Sequence, residues 1–292
     1  MFYHDNNLQY QVRVDKPNPA FAKLLQQAIG GIEGEIRVCL QYLFQAWGNR
    51  GPNKYRDMLL DTGTEEISHI EMLCTAVALN LDGATHELKD KIAGENPIVS
   101  NILGGMDPRH VISSGLAAMA VDSNGVPFNG SWVVGSGNIA ADMYANVMAE
   151  STGRVLATRL YELTDDSGMK DMLSFLITRD AMHQNQWLAV LEDLGGVGTN
   201  LPIPNTFMGA HVKEFDYAFV STNVDTQVVP DARWASGPSI DGKGEFRYVQ
   251  AVPGVVRPDL GMPDVKGYAQ EQQMTGAMDK GIIENIKDTL LP

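Results

Sequence analysis

Cysteine is scarce: Cys39 and Cys74 are the only two in 292 residues. Two thiols exclude a disulfide framework and point to a reducing, cytoplasmic compartment. No apolar run approaches the ~20 residues that a membrane span requires. The first ten residues, MFYHDNNLQY, are polar and lack the apolar stretch of a secretory leader, so none is expected. Basic residues are outnumbered, 22 Lys and Arg against 36 Asp and Glu, for a formal net charge of -14. Such a surface repels phosphate backbones and anionic lipid, so neither nucleic acid nor membranes are expected as partners. Also missing are a phosphate-cradling Gly-Lys-Ser/Thr loop, a Ser-His-Asp arrangement and any repeat of fixed period.

What the chain does have is helical periodicity. Asn18-Pro19 reads as a helix start, a capping residue before a proline at the first helical position. From there Phe21, Leu25, Ala28, Ile32, Glu35, Cys39, Tyr42 and Ala46 recur at steps of four and three. The spacing predicts one continuous helix up to the turn Gly48-Asn49-Arg50-Gly51-Pro52. A second helix is expected from about Lys54 to Leu81, a third from Asn138 to Leu163, and a fourth from the turn Asp165-Asp166-Ser167-Gly168 to Leu194. Residues 82–136, rich in Gly and Pro, read as a long crossover packed on the bundle, with some apolar helix near Val111 to Val121. Eight of the fourteen prolines fall after residue 194. The fold expected is therefore all-α. Residues 1–194 form a four-helix bundle, and 195–292 form an extended tail that wraps neighbouring subunits and carries a short helix near Asp279 to Leu290.

Each apolar stripe is interrupted by residues that do not belong in a core. The second helix reads Leu59, Thr62, Glu66, His69, Leu73, Ala76. Glu35 interrupts the first helix, and Glu150 the third (Ile139, Met143, Val147, Glu150, Ala157, Tyr161). Asp180 and His183 interrupt the fourth (Met172, Leu176, Trp187, Val190). Glu66 and His69, three residues apart, share one helix face. The midpoint of Glu35 and Glu66 falls in the first turn, and that of Glu150 and His183 in the second. The polar residues should thus lie level, each about 23 Å from its turn at ~1.5 Å rise per residue. Carboxylates and imidazoles in a core are costly unless paired. Three carboxylates and two imidazoles suit two divalent ions bridged by a carboxylate, as in di-iron and di-manganese helical bundles. The competing account puts these residues on surface stripes, with Arg37 or Arg154 neutralising a carboxylate. His4, His86, His110 and His211 fall in expected loops as surface residues, and Cys39 reads as a small buried hydrophobe.

On these residues the sequence resembles the non-haem manganese catalases, which are ferritin-like bundles. The likeness rests on Leu8-Gln9-Tyr10, Gly34-Glu35, Leu60-Asp61-Thr62-Gly63-Thr64-Glu65-Glu66 with His69, Ser136-Gly137-Asn138, and the trailing tail. It implies a homohexamer with two manganese ions per chain that disproportionates hydrogen peroxide to water and oxygen. By resemblance, Glu66 bridges the ions, Glu35 and His69 complete one, and Glu150 and His183 complete the other. Tyr42 would hydrogen-bond the Glu35 carboxylate. Some members carry an arginine before the third-helix glutamate and a glutamate three residues before the last histidine, where this chain has Ala149 and Asp180. A wider approach to the metals is then expected, with Asp180 facing water as the proton acceptor. A calcium site is implied at Asp57, Asp61, Ser221 and Asn223. The same ligands suit a di-iron ferroxidase or iron-handling protein. A coat or shell protein with a vestigial site is the non-enzymatic alternative.

Overall fold

A computed structural model describes residues 5–83, 105, 107–200, 217–222 and 229–250 of the chain. The chain divides into two units, residues 1–213 with 238–245, and residues 214–237 with 246–292. The first unit is helical. It contains α1 (Pro19–Gly30), α2 (Glu35–Gly48), α3 (Asn53–Leu81), α4 (Arg109–Ile112), α5 (Ile139–Glu162), α6 (Ser167–Asp193) and α7 (Val197–Asn200). Helix starts follow the expected chemistry. Asn18, Asn138 and Asp166 each accept hydrogen bonds from the first turn of the helix they precede. The packing pairs α2 with α3 and α5 with α6, two hairpins laid together as a bundle.

The first helix is not continuous as the periodicity predicts. It breaks at Gly31–Gly34, and Ile32, placed on the buried stripe by its spacing, is 44% exposed. Backbone packs closely on both sides of the break, where only glycine fits. A Cβ at Gly30 would stand 2.5 Å from the Val121 carbonyl oxygen, and one at Gly34 2.7 Å from that of Ile29. The consequence is that Glu35 becomes the first residue of α2. Arg37 closes the break, donating to the carbonyls of Ile32 and Trp132 at 3.0 and 3.2 Å.

The core has two apolar clusters. One contains Phe21, Leu25, Ile29, Met72, Leu73, Met172 and Leu176, and the other Tyr42, Leu59, Met143, Ala149 and Trp187. Along α3 the change from one to the other occurs between Leu59 and Met72, along α5 between Ala149 and Leu160, and along α6 between Leu176 and Trp187. The polar interruptions of the three stripes therefore share one seam across the bundle.

The crossover also departs from expectation. Among its described residues the only α-helix is Arg109–Ile112, because Gly115 and then Leu116 take φ of 62° and 70°, which ends any helix there. His110 is not a surface residue but fully buried, one ring nitrogen 3.4 Å from the Gln26 side-chain oxygen. Gln26 in turn donates to the carbonyls of Met119 and Val121 and clamps the crossover to α1. His4, His86 and His211 lie outside the described residues, as does the helix expected near Asp279 to Leu290. The later chain holds strands that its proline content did not suggest, namely β1 (Ala218–Ser221), β2 (Gly237–Pro238) and β3 (Glu245–Gln250). β1 and β3 run parallel with Ala218 opposite Arg247. No described helix is long and apolar enough to cross a membrane.

Candidate metal centre

The seam brings together all five residues singled out by spacing. They form two groups, Glu35 with Glu66 and His69, and Glu66 with Glu150 and His183; in each, one candidate ligand atom per residue lies within 4.8 Å of the others. Glu66 belongs to both. Its Oε2 lies 2.7 Å from His69 Nδ1 and its Oε1 2.9 Å from His183 Nδ1. Glu150 Oε1 lies 3.4 Å from His183 Nδ1, and Glu35 Oε2 3.9 Å from His69 Nδ1. The helical rise level with both turns, together with the inward faces of α3, α5 and α6, produces this meeting.

Two further residues support the cluster. Tyr42, fully buried on α2, donates its hydroxyl to Glu150 Oε1. The partner is thus Glu150 and not Glu35, a correction to the expectation from resemblance. Its cause is that Glu35, at the end of its helix, lies two turns away, while α5 faces α2 at the level of Tyr42. Glu65 was not singled out by its position beside the inward stripe. It sits behind both imidazoles, its Oε2 accepting from His183 Nε2 and its Oε1 3.6 Å from His69 Nε2. Arg179 holds it with two bonds, Nε to Oε1 at 2.6 Å and Nη2 to Oε2 at 3.1 Å, and Gln9 Nε2 adds a third to Oε1 at 2.7 Å. The signal was present in the sequence, since Glu65 is four residues before His69 and one turn of helix separates them.

The electrostatics call for positive charge. Burial pushes Glu35 well above the ordinary carboxylate value, and the Glu66 carboxylate adds to it. Burial likewise raises Glu150. Burial opposes ionisation of Glu66 too, but the two imidazoles outweigh it and bring the group down to about 2. His183 is the reverse case: burial would lower it, but Glu150, Glu65 and Glu66 raise it to about 12. The rival neutralisers do not serve this cluster. Arg37 is bound to carbonyls, and among the described residues Arg154 forms no ion pair. Three atoms of the cluster remain buried with no hydrogen-bond partner, Glu66 Oε1, His69 Nε2 and His183 Nδ1. Leaving one such atom unpaired costs about 1–3 kcal/mol. Glu66 Oε1 and His183 Nδ1 lie 2.9 Å apart without being aligned to bond each other, as two ligands aimed at one ion would be. Carboxylate and imidazole donors suit a divalent first-row metal, and the residues present fit a pair of them.

Comparison with known proteins gives the family. A family model described as manganese containing catalase matches residues 1–281. The chain belongs to the manganese catalase family. It is 46% identical over 251 residues to the manganese catalase of Bacillus subtilis (strain 168), spanning 86% of this chain and 90% of that protein. It is 45% identical over 254 residues to the uncharacterized protein YjqC of the same organism, with the same shares covered. Among solved structures, the KatB manganese catalase from Anabaena PCC7120 matches with a TM-score of 0.66 at 25% identity, over 85% of this chain and 99% of that one.

Within this manganese catalase, Ala149 and Asp180 do not create the open, watery approach expected from the missing arginine. Ala149, Asp180, Glu35, Glu150 and Gly153 line a cavity of about 10 Å³, room for about one water. Asp180 is 5% exposed. Burial, then Glu150 and Glu66, push its carboxyl well above the ordinary value, contrary to the water-facing aspartate anticipated. The reason is that Leu173 and Leu176 of its own helix and Leu156 and Ala157 of α5 close the remaining walls. Cys39 is buried and donates to the Gly63 carbonyl, its thiol pushed by burial up to about 12, as an inert core residue should be. Of the calcium candidates, Asp57 and Asp61 are exposed one turn apart on α3, Ser221 belongs to the other unit, and Asn223 lies outside the described residues.

Proposed function

We propose that this chain holds two manganese ions in the bundle seam, one on Glu35 and His69, the other on Glu150 and His183, with Glu66 shared, and that it disproportionates hydrogen peroxide to water and oxygen there. The observation that carries the reading is the sharing of Glu66 between two overlapping ligand groups. A metal pair bound there would supply the two-electron redox chemistry. The chain's own residues do the rest. Tyr42 fixes Glu150, and Glu65 with Arg179 fixes the His183 ring. The walls around Ala149 and Gly153 exclude bulk solvent and leave room for about one water beside the candidate ligands. Asp180 is the proposed proton acceptor: burial, then the neighbouring Glu150 and Glu66 carboxylates, raise its carboxyl above the ordinary aspartate value and make it a stronger base.

The test is metal analysis of the purified full chain beside oxygen evolution from peroxide. About two manganese ions per chain and oxygen release without a haem band are expected. An iron-loaded protein that oxidises ferrous iron and releases no oxygen overturns the reading.

The finer proposals follow the family. Two free cysteines support a cytoplasmic setting. The exposed, edge-stacked Phe44 and Trp47 on α2 support a homo-oligomer, with a hexamer as the proposed state and residues 195–292 as its wrapping tail. Light scattering of the full chain and of a chain ending at Leu194 checks both. Calcium at Asp57 and Asp61 is checked by calcium titration of Asp61→Asn.

A further inference from the structure

The two halves of the centre are not equally supported. Glu150 lies inside α5, is 3% exposed, and receives the Tyr42 hydroxyl. His183 Nε2 lies 3.1 Å from Glu65 Oε2. Both residues that serve only this half are anchored from behind. In the other half, Glu35 is the first residue of α2, after a Gly34 that makes no side-chain cap, and its side chain is 13% exposed. Among the described residues, no side chain outside the cluster hydrogen-bonds its carboxylate. His69 Nε2 is buried without a partner. It lies 3.6 Å from Glu65 Oε1, beyond hydrogen-bond reach. That oxygen already accepts from Gln9 Nε2 at 2.7 Å and Arg179 Nε at 2.6 Å. A carboxylate oxygen has two lone-pair positions, and both are taken.

We infer that the two ions are held unequally, the ion on Glu35 and His69 being the weaker and more exchangeable, and that Gln9 sets the inequality by occupying Glu65 Oε1. The inference rests on reading these five residues as a two-ion centre. Gln9 is a positioning residue, acting through Glu65 and His69. An imidazole whose second nitrogen donates to a carboxylate is a more basic and better oriented ligand. His183 has that support, and Gln9 denies it to His69. The N-terminal strap around Gln9 has anchors of its own. Tyr10 stacks on Phe175 at 4.4 Å and donates to Asp171, while the amides of Asp15 and Lys16 both bond Asp166 Oδ2. The strap therefore stays in place when Gln9 is changed.

The experiment is calorimetric titration of the metal-stripped full chain with Mn2+. Electron paramagnetic resonance of half-loaded samples distinguishes single ions from pairs. The parent chain should show two steps, with mostly single ions at half loading. Gln9→Leu frees Glu65 Oε1 for His69, so the weaker step should tighten by roughly tenfold while the tighter step stays put. Chelator release of the more labile ion should slow by a similar factor. Tyr10→Phe, which loosens the strap without touching Glu65, should change neither step. Two equal steps in the parent chain overturn the inference and leave the two-ion centre standing. So does a Gln9→Leu variant that weakens binding or tightens both steps alike, and so does a Tyr10→Phe variant that reproduces the tightening. A parent chain that fails to bind two ions overturns the centre and the inference together.

Discussion

Replacing Tyr42 with phenylalanine removes one hydroxyl and nothing else from the core. The ring is fully buried against Trp187, 4.8 Å between centroids, and a phenylalanine keeps that contact. What disappears is the donor to Glu150 Oε1. Burial, together with the charges of Glu150 and Glu66, holds the Tyr42 hydroxyl well above its ordinary value, so in the parent protein it remains a donor across the working pH range. A hydrogen bond to a charged group is worth about 1.5–3 kcal/mol. At 1.4 kcal/mol per tenfold, that predicts a loss of roughly 10–100-fold in affinity for the ion on Glu150 and His183. Removal of outer partners of metal ligands costs the same order, roughly 10–100-fold, so two independent routes agree. The assay is Mn2+ titration of the stripped variant, with near-ultraviolet circular dichroism to verify packing. The tighter binding step should weaken toward the level of the other, and turnover should fall as manganese is lost. A well-packed Tyr42→Phe variant with the parent's Mn2+ affinity would refute the argument that Tyr42 holds Glu150 in its ligating position.

Four other outcomes are expected. Glu66→Ala should lose both ions and oxygen evolution together, because one side chain serves both groups, whereas Glu71→Ala on the exposed face of α3 should leave metal content and turnover unchanged. Asp180→Asn should lower turnover with both ions retained, and loss of an ion would instead make Asp180 a ligand. At Gly153 a methyl group would meet the Glu33 carbonyl at 3.5 Å and Asp180 Oδ2 at 3.8 Å, ordinary contacts. Gly153→Ala should therefore raise Tm by about 2 °C from helix propensity while slowing azide entry to the narrowed cavity, and a fall in Tm would contradict the packing. Burial lowers the His110 pKa, so below the ordinary histidine value the unfolded chain takes up a proton that the folded chain refuses. Stability from this residue is present above that pH and is lost as pH falls through it; the metal-free His110→Asn variant should show a smaller drop in Tm between pH 7 and 5 than the parent.

The bundle and its candidate ligands were legible because both depend on local quantities. A helical period fixes which residues share a face, and a constant rise fixes how far each lies from its turn. Glu66 and His69 on one stripe, and Glu35, Glu150 and His183 on three others, could therefore be read as level and inward-facing from the sequence alone. The break at Gly31–Gly34 was not legible. The contact beside it comes from the Val121 backbone, some ninety residues away in sequence, which packs against Gly30. Burial of His110 was missed for the same reason, since a loop histidine is buried by what packs over it.

By itself, then, the sequence determined the helical stripes, the carboxylates and imidazoles that interrupt them, and through these the candidate metal ligands. The tertiary structure alone decided which groups those ligands answer to. Tyr42 reaches Glu150 and not Glu35, Glu65 is claimed by Gln9 and Arg179 ahead of His69, and Asp180 is walled off from water despite the alanine at 149. These outcomes depend on how closely separate helices and the N-terminal strap approach one another across the seam. Hydrogen bonds form or fail over differences of less than 1 Å, and such distances between segments far apart in the chain are set by packing, not by periodicity.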